Sequence, residues 1–349
     1  MIPREPIKLS GQSVFLSVAK RQGSILIVAL WSLCLLSAFA VILNSQVRQK
    51  LVLANRLDQR DKLRLIAEAG VDKAIMELKS NPEKTYFALS DSWSNNPGAF
   101  KDVSVGSGEF SLNNSHSDLK SGFLVAGYGC VDEESKININ KADAKVLERL
   151  FRIILAYDEP QAQELAACIV DWRDVDSELS IPGSAEDFYY TSQPFPYAAK
   201  NFEFETLDEL LLVKGFNDNV FEKIKDYVTI YGEGRVNVNT ASEVVLVALG
   251  LDQDIAHKLI LYRAGRDGVE GTLDDNVFIS AADILSSLSQ AYPLSASQVE
   301  QLNRVTALFL ATSSNNFLIR ATARLSARYS LTVSSVVKRD GKILYWRED

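Results

Sequence analysis

The feature that most constrains this chain is the stretch KRQGSILIVALWSLCLLSAFAVIL, residues 20–43. No charge interrupts it from Ser24 to Leu43. About twenty apolar residues, at about 1.5 Å rise each, make a helix about 30 Å long, the thickness of a bilayer core. A secretory hydrophobic region is usually shorter, about 7–15 residues, and closes on small residues. No A-x-A pattern closes this one, so the run reads as a membrane span. Its orientation is not set by charge: Arg4, Lys8, Lys20 and Arg21 precede it, while Arg48, Lys50, Arg56, Arg60, Lys62 and Arg64 follow. Neither Gly nor Pro occurs from Ser24 to Glu68, and Val47, Leu51, Ala54 and Leu57 recur at helical steps. Asn81-Pro82 stops the pattern. One helix from Ser24 to Lys79 is expected, apolar all round in its first half and amphipathic in its second. The amphipathic half is expected to dock on a sheet of its own domain.

With 349 residues the chain can hold two domains, or one with a large insertion. Apolar content of 47% and charged content of 23% are those of a folded protein. A net charge of −8 argues against a nucleic-acid partner, and 2 histidines argue against a His-based metal site. Of the 3 cysteines, Cys34 lies in the apolar run. Cys130 and Cys168 could form a bridge in an oxidising compartment, or could be two small buried hydrophobes.

Residues 85–130 hold short β-type runs, EFSLNNS and GFLVAGYGCV, around a polar loop. From Asp132 to about Ala311 the sequence reads as helices, as in DAKVLERLFRIIL, QAQELAACIVDW, TLDELLLVK, NVFEKIKDYVTIY, SEVVLVALG and QVEQLNRVTALFL. Strands return after Asn316, with Asp340-Gly341 as a hairpin turn signal. Two β regions flanking a helical block imply one α+β domain with a helical domain inserted in its middle.

The helical block repeats internally. KININKADAKVLERL (136–150) aligns at one constant offset with RVNVNTASEVVLVAL (235–249), matching Asn138 with Asn237 and Asn140 with Asn239. Short polar side chains ahead of a helix read as caps, so these asparagines are expected to be structural. Two acidic loops follow. DWRDVDSELSIPGSAEDFYY (171–190) carries Asp174, Asp176, Glu178, Glu186 and Asp187; GRDGVEGTLDDNVF (265–278) carries Asp267, Glu270, Asp274 and Asp275 among glycines. Alternating acids in tight loops converge oxygens as a hard cation such as Ca²⁺ requires, without the spacing of an EF-hand. Calcium suits them better than zinc, because Cys and His are missing nearby.

With these motifs in view, the chain resembles the general secretion pathway protein K family, the large minor pseudopilins of type II secretion systems. The resemblance runs over nearly the whole chain. Gly23-Ser24 ahead of the apolar helix looks like a prepilin peptidase site. VDEESKININKAD looks like the start of that family's inserted helical domain, DWRDVD and PGSAEDFYY like its acidic loop, GRVNVNTASEVVLVAL like its second repeat. FLIRATAR and YWRED look like its closing strands. The resemblance implies a type IV pilin-like α+β fold, a long N-terminal helix packed on an antiparallel sheet, with a large inserted all-α domain. It implies a leader, 1–23, cleaved after Gly23, and a methylated Ser24. The transmembrane part of the helix would be 24–43, the pseudopilin domain 44–131 and 312–349, and the insertion 132–311.

It further implies one or two calcium ions in the insertion, at acids such as Asp174, Asp176, Glu178, Glu186 and Asp187, with Asp267, Asp274 and Asp275 in the second loop. A family member sits in the inner membrane of a Gram-negative bacterium, in a single pass, leader in the cytoplasm and C-terminal domain in the periplasm. It meets minor pseudopilins of types I and J, and type H or the major pseudopilin, at the tip of a short pseudopilus that serves export of folded proteins. Major pilins carry Glu at the fifth mature position; counting from Ser24, that position is Val28, which suits a subunit with no neighbour above it.

Two other functions are weaker. The Asn-containing repeat and IAHKLILYR also resemble helix-hairpin-helix proteins that bind DNA, but the turn Gly250-Leu251-Asp252-Gln253-Asp254 lacks the second Gly and places acids where phosphate would lie. For an enzyme, Asp171 and Asp174 could pair, but no nucleophile, P-loop, zinc or dinucleotide motif is present and only His116 and His257 are available.

Overall fold

A computed structural model describes residues 22–80, 84–114, 116–117, 124–125, 127–327 and 329–349. The expected leader lies outside the described residues but for Gln22 and Gly23, as do Asn81 and Pro82. The chain forms two compact units, Met1–Asp58 and Gln59–Asp349. A helix of 58 residues, Gln22–Lys79, supplies all that is described of the first. From Ser24 on it is long and apolar enough to cross a membrane, with mean hydropathy reaching 2.7.

In the second unit the end of that helix packs on a sheet. Leu63, Ile66, Ala67, Val71, Ala74 and Leu78 recur every three or four residues and are buried against Phe110, Leu112, Phe317, Ile319, Ala321 and Val333. The stripe expected to dock is therefore not the one that does: Val47, Leu51 and Leu57 are exposed. The reason is length. A helix of 58 residues spans about 87 Å, and the longest strand, 11 residues, spans about 36 Å, so the sheet covers only the helix's C-terminal part. Gly70 sets how closely they approach, since a Cβ there would stand 3.0 Å from the Phe110 ring and 3.3 Å from the Ala321 Cβ.

The sheet is antiparallel, in the order Val103–Val105, Gly108–Leu112, Asn316–Ser326, Tyr329–Lys338, Ile343–Glu348, and Val131–Asp132 also pairs with Asn316–Ser326. Phe317, Ile319, Ala321 and Ala323 alternate inward along the central strand, as the two-residue strand period requires. Gly341, at φ 89°, makes the turn of the last hairpin. Among the described residues of GFLVAGYGCV, Leu124–Val125 and Val131 are strand; Leu124–Val125 pairs with His116–Ser117.

A second core draws on residues from Ile137 to Leu310 and is made mainly of short helices. It holds two short parallel pairings, Ile137–Asn138 with Val228–Thr229 and Val236–Asn237 with Leu310–Ala311. Hence NVFEKIKDYVTIY is helical only over Asp218–Ile224; its Val-Thr leaves the helix to pair with the strand that opens the repeat. Cys130 packs in the sheet core and Cys168 in the helical core, and both are free thiols. The possible bridge is thus replaced by the alternative, two small buried hydrophobes, because the two residues belong to different cores.

Three consecutive acids join the cores. Asp132, fully buried, accepts hydrogen bonds from Asn237 Nδ2 (3.1 Å), Thr240 Oγ1 (2.5 Å), Ser314 Oγ (2.6 Å) and the Glu134 N–H (2.9 Å). Glu133 pairs with Lys136 (2.5 Å) and accepts from Thr229 Oγ1 (2.5 Å). Glu134 accepts from the backbone and side chain of Asn316, at 2.9 and 2.7 Å. Removing the Asp132 carboxylate would orphan several buried donors, at about 1–3 kcal/mol each. Asp132→Ala should therefore lower the unfolding free energy by about 3 kcal/mol or more in a denaturant titration; a loss below about 0.5 kcal/mol, the size of an ordinary surface effect, would contradict this role.

Candidate metal centre

The two repeats build the same frame twice. Each starts with a strand and a turn. The Asn138 side chain accepts from the Asn140 N–H (2.8 Å), as Asn237 does from Asn239 (3.0 Å). A helix follows, capped by Asp143 in the first repeat and Ser242 in the second. The asparagines are therefore not the helix caps they were expected to be. They sit too far upstream, and their amides bind backbone elsewhere. A second helix then returns, Glu159–Arg173 or Gln253–Arg263, capped by Asp158 or Asp252.

An arginine ends each returning helix and reaches back to its own turn. Arg173 donates to the carbonyls of Ile139 and Ala142. Arg263 donates to those of Val238 (2.6 Å) and Ala241 (2.7 Å). An acidic loop leaves each arginine and closes on a phenylalanine. Asn140 donates to Phe204 O (3.0 Å) and accepts from its N–H (2.8 Å); Asn239 does the same with Phe278, both at 2.9 Å. Each loop is thus tied at both ends to one turn.

The first loop gathers carboxylates. Asp174, Asp176 and Glu186 bring one oxygen each within 4.8 Å of one another, and among the described residues this is the grouping of three or more potential metal ligands that could share one ion. Asp171 stands beside it, one helical turn before Asp174, and its charge reaches both Asp174 and Glu186. Asp171 Oδ2, Asp174 Oδ1 and both Glu186 oxygens are buried without a hydrogen-bond donor. Asp171 is completely buried and Glu186 is 4% exposed. Burial, together with the neighbouring acids, pushes Asp174 up to about 6 and Glu186 up to about 7. Buried carboxylate oxygens without donors are costly unless a proton or cation meets them. An all-oxygen set of this kind fits a hard divalent cation.

The other expected ligands lie apart. Glu178 is exposed, and its N–H donates to Asp176 Oδ1. Asp187 begins the short helix Asp187–Thr191 and accepts from the Ala199 N–H (2.8 Å). The second loop satisfies itself. Asp267 accepts from the Val269 N–H. Asp274 accepts from the Arg266 and Asp267 N–H groups and from Thr272, which lowers it to about 2. Asp275 accepts from the Gly271 and Thr272 N–H groups, and Glu270 pairs with Arg263.

Asp171 and the two arginines were not among the expected site residues. The three-residue step from Asp171 to Asp174 could have indicated the first. The arginines escaped because both helices of the second repeat are shorter, 6 residues against 12 and 11 against 15, which breaks the constant offset.

Two solution tests follow from the cluster. Without a cation, Asp174 and Glu186 hold protons in the folded chain that the unfolded chain has released above its ordinary carboxylate range. Stability should therefore fall as pH rises from about 4.5 to about 7, and Glu186→Gln should flatten part of that slope in melts at pH 5 and pH 8 in chelator. A Glu186→Gln slope equal to wild type would contradict it. Added Ca²⁺ should raise the melting temperature at pH 8, and a chelator should reverse the rise.

Residues 109–233 match the family model "Type II secretion system (T2SS), protein K". The type II secretion system protein K of Pectobacterium carotovorum subsp. carotovorum is 30% identical over 115 residues, 32% of this chain and 34% of that protein. The match thus spans about a third of that relative's length. A crystal structure of the GspK-GspI-GspJ complex from the type 2 secretion system of enterotoxigenic Escherichia coli contains a chain of similar fold. The TM-score is 0.65 at 16% identity, over 85% of this chain and 99% of that one. The pilin-like sheet with its helical insertion is therefore a shared fold, and the segment 109–233 is similar to the type II secretion system protein K family.

Proposed function

We propose that this chain is a minor pseudopilin of a type II secretion system, held in the inner membrane by its apolar helix with Gln59–Asp349 in the periplasm. The observation that carries this is one continuous helix that is exposed and apolar over Ser24–Leu43 and packed on an antiparallel sheet over Leu63–Leu78. Such a helix can stay in a bilayer while its folded end is in water, and can later pack against other helices along its uncovered stripe, Val47, Leu51 and Leu57. Prepilin peptidase would cut after Gly23 and leave the span in the mature protein with methylated Ser24 at its start. Val28 places no carboxylate in the membrane, where one is costly unless paired. This fits a subunit at the tip that starts or caps a pseudopilus, alongside type I and J pseudopilins, with type H or the major pseudopilin below.

In this reading the first acidic loop holds calcium through Asp171, Asp174, Asp176 and Glu186. The ion would supply charge neutralisation and tie the helix end to the Asp187–Thr191 helix. Its role is structural, and nothing among the described residues points to catalysis. For DNA binding the turn is poorly suited. Asp252 caps the helix Gln253–Arg263 by accepting from the Asp254 N–H (2.9 Å), and Asp254 pairs with Lys258 (2.6 Å), so acids occupy the position of a phosphate.

The test is co-purification of the full-length chain, extracted in detergent from its host, with the type I and J pseudopilins of that host. Recovery of both in a stable complex is expected; recovery of neither, with the chain intact and folded, would contradict the proposal. Val28→Glu should not improve assembly. Incorporation of that variant along the shaft would show that Val28 alone sets the tip position.

A further inference from the structure

Arg173 touches no acid of the cluster by a hydrogen bond. Both its guanidinium contacts go to backbone carbonyls, Ile139 O and Ala142 O, one turn of chain away in space. The bond set therefore fixes where the helix Glu159–Arg173 ends, and that end carries both Asp171 and Asp174. At the far end of the same loop Asn140, in the same turn, binds Phe204 through two hydrogen bonds. The second repeat reproduces both devices, with Arg263 on Val238 and Ala241 and Asn239 on Phe278. There, however, the guanidinium also pairs with Glu270 and the loop's acids are met by backbone N–H groups. In the first repeat buried oxygens of Asp171, Asp174 and Glu186 remain without donors.

We propose that Arg173 is the positioning residue of the cation site: its fork on Ile139 O and Ala142 O aims Asp171 and Asp174 at the cation, against the repulsion its own charge exerts. This rests on the reading of the first loop as a calcium site. The planar fork matters because one guanidinium spans two carbonyls in fixed geometry, while a lysine ammonium is a point donor on a flexible stem.

The two effects of Arg173 have opposite signs, which makes the proposal testable. As a charge near Asp174 it opposes a cation, so its neutralisation alone would tighten binding. As a positioning group it favours the cation, so its loss weakens binding. Calcium chloride is titrated by calorimetry into the full-length protein in detergent, for wild type, Arg173→Gln, Arg173→Lys and Arg263→Gln. Melting curves of the calcium-free proteins show that each variant is folded. The expected result is calcium affinity at least tenfold weaker in both Arg173 variants, with Arg263→Gln at wild-type affinity although it loses the matching bonds in the other repeat.

Tighter or unchanged binding in Arg173→Gln overturns the proposal, as does an equal loss in Arg263→Gln, which would mark a general loosening of the fold. If Arg173→Gln fails to fold, Arg173→Lys decides: wild-type affinity there overturns the positioning role, because the charge is kept and the two-carbonyl fork would not be needed. Wild type that binds no calcium overturns the calcium reading and this proposal with it. Binding that is indifferent to Arg173 overturns this proposal alone.

Discussion

One buried carboxylate, Asp132, holds the two cores of the unit Gln59–Asp349 in register. It lies where the chain leaves the sheet and gathers three side-chain donors from two distant segments: Asn237 and Thr240 of the second repeat, and Ser314 of the returning segment. Asn237 also donates to Phe87 O, so the loop after the long helix joins the same node. A carboxyl so deeply buried is costly: burial pushes Asp132 above the usual carboxylate range, and the surrounding donors offset part of that cost. The neighbouring Glu133 reaches the first repeat through Thr229, and Glu134 reaches the sheet strand through Asn316. Three successive residues thus fix a helical insertion of some length onto a pilin-like sheet.

The insertion is a duplication whose halves have diverged in use. Both halves tie an acidic loop to a strand-and-turn by an arginine at one end and an asparagine at the other. In the second half the loop is closed by its own amides, Thr272 and the Arg263–Glu270 pair. In the first half the same frame leaves buried oxygens of Asp171, Asp174 and Glu186 without donors. A shared scaffold with one satisfied and one unsatisfied loop separates what the frame does mechanically from what the carboxylates add chemically.

Much of this was legible in the sequence, for definable reasons. The apolar run, the helix to Lys79, the flanking strands and the repeat are all periodic or self-similar patterns, which a chain displays locally. Asp174, Asp176 and Glu186 stand out because alternate acids beside Pro-Gly are a local signal, and the fold brings their oxygens together. Glu178 and Asp187 were included because spacing cannot tell which side of a loop a side chain takes. The docking stripe was placed too early, at Val47–Leu57, because periodicity shows that a face is apolar but not how far a sheet extends to cover it. Position ahead of a helix makes the asparagines read as caps, whereas their amides bind backbone at Phe204, Phe278 and Tyr231, contacts distant in sequence. Separate cores for Cys130 and Cys168 are likewise a matter of packing.

The account makes the chain a processed, membrane-anchored subunit of a pseudopilus, whose apolar helix is retained after cleavage. The most direct measurement is intact-mass and N-terminal analysis of the full-length protein extracted from its membrane. The account predicts a mature chain that begins at methylated Ser24, with the whole apolar run present. A chain that still begins at Met1, or one cut after the apolar run, would contradict it.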